Sequence, residues 1–174
     1  MYNSGVLDFI LTFMDKGGIV LWFIAALTFL MWTLVFERFW YFHTALRKDV
    51  DKVIAVWEAR RERKSWNAHQ IRRQLISQAH LKINASLPMI KTLVALAPLF
   101  GLLGTVTGMI EVFNIMAVTG GGDAKSMAGG VSKATIPTMA GMVAALSGVF
   151  ANTYVTRIAE RESVLLEDHL TTDH

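Results

Sequence analysis

Three stretches of this chain run for about twenty residues without a charged side chain: Gly17 to Phe36, Thr92 to Ile110 and Ala134 to Thr156. At about 1.5 Å of rise per residue, a helix of that length covers the ~30 Å hydrocarbon layer of a bilayer. Hydrocarbon offers no partner for a free N–H or C=O, so a run of this kind must satisfy its own backbone as a helix. The expected fold is all-α, a membrane protein with three transmembrane helices. Composition agrees, because an apolar content of 53% and a mean hydropathy of +0.40 exceed what a water-facing surface on 174 residues tolerates.

Charge sets the boundaries. Residues 1–16 carry only Asp8, Asp15 and Lys16, with no basic leader and no small-residue cleavage site, so an uncleaved N-terminal segment is expected. The first transmembrane helix is placed at 17–42. It is closed by Glu37 and Arg38 and by the interfacial pair Trp40 and Tyr41, and its bulky residues on most sides suit lipid. Segment 43–91 is basic: from Arg38 to Lys91 lie twelve of the chain's 17 Lys and Arg. The positive-inside rule puts it in the cytoplasm, with the N-terminus on the periplasmic side and, after three spans, a cytoplasmic C-terminus. Ile71, Leu75, Ala79 and Ile83 recur every four residues, which predicts a helix running directly into the next span across Pro88. That second span is 92–118. The glycine-rich stretch 119–131 reads as a periplasmic turn, 132–156 as the third span, and 157–174 as a cytoplasmic tail that continues the third helix.

Several classes of function are excluded at this level. His43, His69, His80, His169 and His174 form no i, i+4 pair, and cysteine is absent, so no metal or other cofactor is expected and the chain does not read as an enzyme. The turn's glycines follow no strand and lead to no Gly-Lys-Ser/Thr ending, which argues against nucleotide binding. The net charge of +3 and pI near 9.3 record orientation and contact with anionic lipid; no nucleic acid is expected.

What remains is the polar content of the spans. Ala97, Gly101, Gly104, Gly108 and Glu111 share one face of the second span, with Thr105 beside them. Ala134, Thr138, Gly141, Ala145, Gly148 and Asn152 share one face of the third. Such stripes serve close helix packing or line a pore, and both readings stand open. Thr105 lies six residues from Glu111 and Thr138 five from Lys133 on the antiparallel neighbour, so both hydroxyls sit roughly 8–9 Å below those charges and can share one layer of the membrane. A hydroxyl donates and accepts without a fixed charge, which suits a proton pathway; the acid that titrates must be Glu111 or belong to a partner. Glu111 is the only acid within the second and third spans, and an outer charge pair with Lys133 is the competing expectation.

The run Ala97-Pro98-Leu99-Phe100-Gly101-Leu102-Leu103-Gly104-Thr105-Val106-Thr107-Gly108-Met109, together with Gly130-Val131-Ser132-Lys133-Ala134, resembles the ExbB, TolQ and MotA family of proton-driven motor subunits, and most of all its ExbB branch. The resemblance covers essentially the whole chain. It implies a homopentameric ring in the bacterial inner membrane around single-span helices of an ExbD-like partner. Proton flow through that ring drives motion passed to a TonB-like protein, which opens outer-membrane receptors for siderophore iron or vitamin uptake. By motif position, Thr105 and Thr138 resemble the two pore-lining threonines that face an ExbD aspartate, and Asn152 resembles an asparagine near the inner end of the third helix. This chain departs from the family at Lys133, where Glu is usual, and at Thr135, Pro137, Met139 and Ser147. A TolQ-like role in envelope maintenance and a static membrane scaffold are the alternatives.

Overall fold

The computed structural model describes residues 4–59, 66–120 and 124–170. Arg60 to Lys64 of the basic segment, Gly121 to Asp123 of the turn, and the last four residues of the tail lie outside the described residues. Four helices make up the secondary structure of the rest: α1 (Ser4–Glu58), α2 (Trp66–Ile83), α3 (Leu87–Thr119) and α4 (Ala124–His169). Three of these, α1, α3 and α4, are long and apolar enough to cross a membrane. The chain divides into two compact units, one built of Met1–Trp32 with Thr92–Val149, the other of Thr33–Lys91 with Phe150–His174.

In the first unit, α1 buries Val20, Leu21, Ile24, Leu27 and Met31, a stripe of three- and four-residue steps, and leaves Trp22, Phe23, Phe29 and Leu30 exposed. The bulky faces are therefore on the outside and one narrow face carries the contact. The helix is broken at Gly18, where φ is 65° and ψ −164°, a region open essentially to glycine alone. A hydropathy profile is blind to this, because the apolar run continues through the break. Gly120 ends α3 with φ 74° while its N–H donates to Met116 O at 3.0 Å, the usual left-handed glycine cap. The next helix begins at Ala124 and so takes in Gly129 and Gly130, which the sequence places in the turn. Packing accounts for this: a Cβ on Gly130 would stand 2.6 Å from Val112 Cγ2, so α4 is held against α3 from its first turns.

In the second unit the buried set is Val35, Phe42, Leu46 and Trp57 of α1, Ala68, Ala79 and Ile83 of α2, Leu87 and Ile90 at the start of α3, and Val155, Ala159, Leu166 and Leu170 at the end of α4. Arg38 belongs to the same core at 7% exposure. Its Nε and Nη2 donate to the two carboxylate oxygens of Glu37 at 2.7 and 2.8 Å, its Nη1 donates to Lys82 O at 3.0 Å, and its guanidinium lies 4.8 Å from the centre of the Tyr41 ring. The expected continuous passage from the 71–83 helix into the second span is not what forms. Asn84 N–H still donates to His80 O, but Ser86 has φ 64° and Leu87 starts a new helix. The break precedes Pro88, which then occupies the first turn of α3, where its missing N–H would have had no partner anyway.

Candidate functional site

The site is built on the contact between α3 and α4 in the first unit. Gly101 and Gly141 let the two backbones meet: a Cβ on Gly141 would stand 2.6 Å from Ala97 O and 3.1 Å from Gly101 Cα, and one on Gly101 would stand 3.0 Å from Thr138 Cα. Gly108 is pressed against Ala134, Gly104 against Pro137, and Gly148 against Met31 and Val94; Ala97 and Ala145 are buried in the same seam. The small residues of the two stripes thus face each other, or α1, within a single chain. Without a hydrophobic drive between helices in lipid, such close backbone contact and its dispersion energy are what hold the helices together.

Backbone approach at this level sets the threonines. Thr138 Oγ1 donates to Gly101 O at 2.8 Å, across from α4 to α3. Thr105 Oγ1 lies 3.4 Å from the same carbonyl and in direct hydrogen-bond contact with Thr138 Oγ1. Both side chains are half-buried. Two hydroxyls and one carbonyl therefore form a single polar cluster in the charge-free part of the spans. The sequence pointed to the threonines by their depth, but not to the Gly101 carbonyl, since nothing in a glycine's identity signals what its oxygen accepts.

Glu111 and Lys133 line one cavity of about 450 Å³ with Lys16. All three are exposed, and no ion pair among the described residues joins Glu111 to Lys133. The convergence of Lys16 on this place is absent from the sequence reading. In the second unit, Asn152 is half-buried and its Oδ1 is shielded from solvent without a hydrogen-bond partner among the described residues, as are Thr156 Oγ1 and Ser163 Oγ further along α4. Among the described residues, no three His, Asp or Glu side chains converge as metal ligands.

Hydroxyls packed at membrane depth, with no titratable group beside them, can orient and relay a proton that a separate acid delivers. Residues 40–168 match the MotA/TolQ/ExbB proton channel family. The chain is 32% identical over 163 residues to the biopolymer transport protein ExbB-like 1 of Synechocystis, covering 75% of this chain and 64% of that relative. It is 31% identical over 86 residues to the biopolymer transport protein ExbB of Xanthomonas campestris, covering 49% of this chain and 34% of the relative. It is also 32% identical over 99 residues to the Tol-Pal system protein TolQ of Pseudomonas aeruginosa, covering 57% and 42%. In each case the chain spans less than two thirds of the relative's length. With three helices able to cross a membrane and a family match over most of its length, this multi-pass membrane chain belongs to the MotA/TolQ/ExbB proton channel family.

Proposed function

We propose that the chain is an ExbB-like subunit of a proton-driven motor in the bacterial inner membrane, which with an ExbD-like single-span partner and a TonB-like protein energises uptake of siderophore iron or a vitamin across the outer membrane. The observation that carries this reading is the contact of Thr105 and Thr138 on Gly101 O, a hydroxyl cluster held where Gly101 and Gly141 let the backbones of α3 and α4 meet. It supplies hydrogen-bond donors and acceptors at a depth where a fixed charge would be costly. Because a threonine does not titrate near neutral pH, the carboxylic acid that loads and unloads comes from the partner helix. Moving one charge through 100 mV releases about 2.3 kcal/mol, so several protons are needed for mechanical work against a folded domain. A ring of subunits, a homopentamer by family resemblance, supplies them. The twelve basic residues from Arg38 to Lys91 support an N-terminus on the periplasmic side and a C-terminus in the cytoplasm.

The test is Thr105→Val and Thr138→Val, each keeping shape and losing the hydroxyl, with Thr138→Ser as the restoring change. In cells carrying the partner proteins, growth on siderophore-bound iron should be lost in both Val variants and kept with Ser, at unchanged levels of membrane-inserted protein. Full growth of both Val variants would instead mean that the cluster is packing and the chain a static scaffold. The likeness to TolQ supports a second reading, an envelope-maintenance motor subunit; there the same variants should grow normally on chelated iron and become sensitive to detergent.

A further inference from the structure

The cavity shared by Lys16, Glu111 and Lys133 in the first unit has a composition that neither helix packing nor a proton relay uses. Two ammonium groups and one carboxylate open into about 450 Å³, and the three charges are not satisfied by ion pairs with one another. The hydroxyl in its wall, Thr107 Oγ1, is committed to its own helix, donating to Leu103 O or Gly104 O at 3.0 and 3.1 Å. Among the described residues the lysines are thus the free donors and Glu111 the free anionic acceptor at this cavity. The rest of the lining is glycine and aliphatic surface, including Gly17, Gly129, Val112 and Ile115, which leaves room at the charges and offers no competing polar group.

Depth selects the ligand. Lys16 immediately precedes the first charge-free run, Lys133 immediately precedes the third, and Glu111 ends the second, so all three stand where hydrocarbon gives way to headgroups. The phosphodiester of a phospholipid lies at this level. Two lysines match a phosphate, and a carboxylate beside them matches a primary ammonium that can donate hydrogen bonds. We propose that this cavity is a binding site for a phospholipid headgroup carrying both a phosphodiester and a primary ammonium, with Lys16 and Lys133 on the phosphate and Glu111 on the ammonium. The inference needs only the membrane placement of the chain and stands apart from the motor reading.

Native mass spectrometry of the intact protein in a lipid-free detergent gives the test, with phosphatidylethanolamine, its N,N,N-trimethyl counterpart phosphatidylcholine, and phosphatidylglycerol added in turn. Phosphatidylethanolamine should be retained best. Lys16→Gln with Lys133→Gln should lower its retention about tenfold or more, the loss expected from two charge-assisted contacts at a membrane surface. Glu111→Gln should abolish the preference for phosphatidylethanolamine over phosphatidylglycerol while phospholipid binding persists. Lys125→Gln, at the same end of α4 but outside the cavity lining, should change nothing. Soluble glycerophosphoethanolamine should compete only at far higher concentration if the lipid is the ligand; competition at equal concentration would identify the free headgroup as sufficient and overturn the lipid assignment. Equal retention of the three lipids by the unmodified protein, or full retention by the double lysine variant, would overturn the proposal.

Discussion

The two units hold polar groups in opposite ways. In the first, the contact between α3 and α4 is glycine, alanine and hydroxyl, and the polar atoms at its centre, Thr105 and Thr138, are satisfied by each other and by one backbone carbonyl. In the second, the interior accepts a guanidinium: Arg38 is buried against Glu37, Lys82 O and the Tyr41 ring, while Arg72 donates to Glu167 O and Leu170 O at the end of α4. The difference follows from the surroundings each part of the chain requires. A hydroxyl can be satisfied by a carbonyl already present in a helix and costs little in hydrocarbon, whereas a charge needs a counter-charge, a carbonyl and access to water at its edge. The first unit therefore keeps the polar atoms at its helix contact uncharged, and the second buries a charge with its partners.

The comparison breaks most severely at the glycine seam. Gly141→Leu would drive a side chain into Ala97 O and Gly101 Cα, which are backbone and cannot rotate away. The expected loss is about 3 kcal/mol or more of stability, seen as a large fall in the midpoint of thermal unfolding in detergent. Gly129→Ala, with nothing within contact distance of the new Cβ, should leave that midpoint unchanged or raise it, since alanine favours a helix over glycine. If both changes behave alike, close backbone approach is not what holds the first unit.

In the second unit the equivalent weak point is a charge. Arg38→Ala removes three donors and leaves Lys82 O and Glu37 without their partner, at a cost of about 2 kcal/mol. Arg38→Lys should recover only part of it, because an ammonium cannot make the forked contact to both Glu37 oxygens. Equal stability of the Lys and unmodified proteins would show that charge alone, not the planar fork, is what the core uses. The smallest effect belongs to Arg72→Gln: losing a cation at the carbonyl end of α4 should cost about 0.5–1 kcal/mol and raise amide exchange in the last turn only.

Sequence reading reached the three spans and the helical tail because charge-free length and four-residue periodicity are direct consequences of solvent. It reached the threonines because depth can be counted from the charges at each helix end. It missed the break at Gly18, the positive φ at Ser86 and the helical state of Gly129 and Gly130, since these depend on torsion and on neighbours rather than on residue type. The meeting of Lys16 with Glu111 and Lys133 lay beyond it for a related reason: only the packing of α1 on α3 and α4 brings together residues about a hundred positions apart.

The hydroxyl cluster has a consequence in its symmetry. Either threonine can be the donor in the contact between them, and both oxygens lie within reach of Gly101 O. Two hydrogen arrangements satisfy every atom: Thr105 to Thr138 to the carbonyl, or Thr138 to Thr105 to the carbonyl. They interconvert by rotating two O–H bonds, with no heavy atom displaced. The distances of 2.8 and 3.4 Å make them unequal, so the cluster has a resting polarity, set by Thr138, and a reversed one.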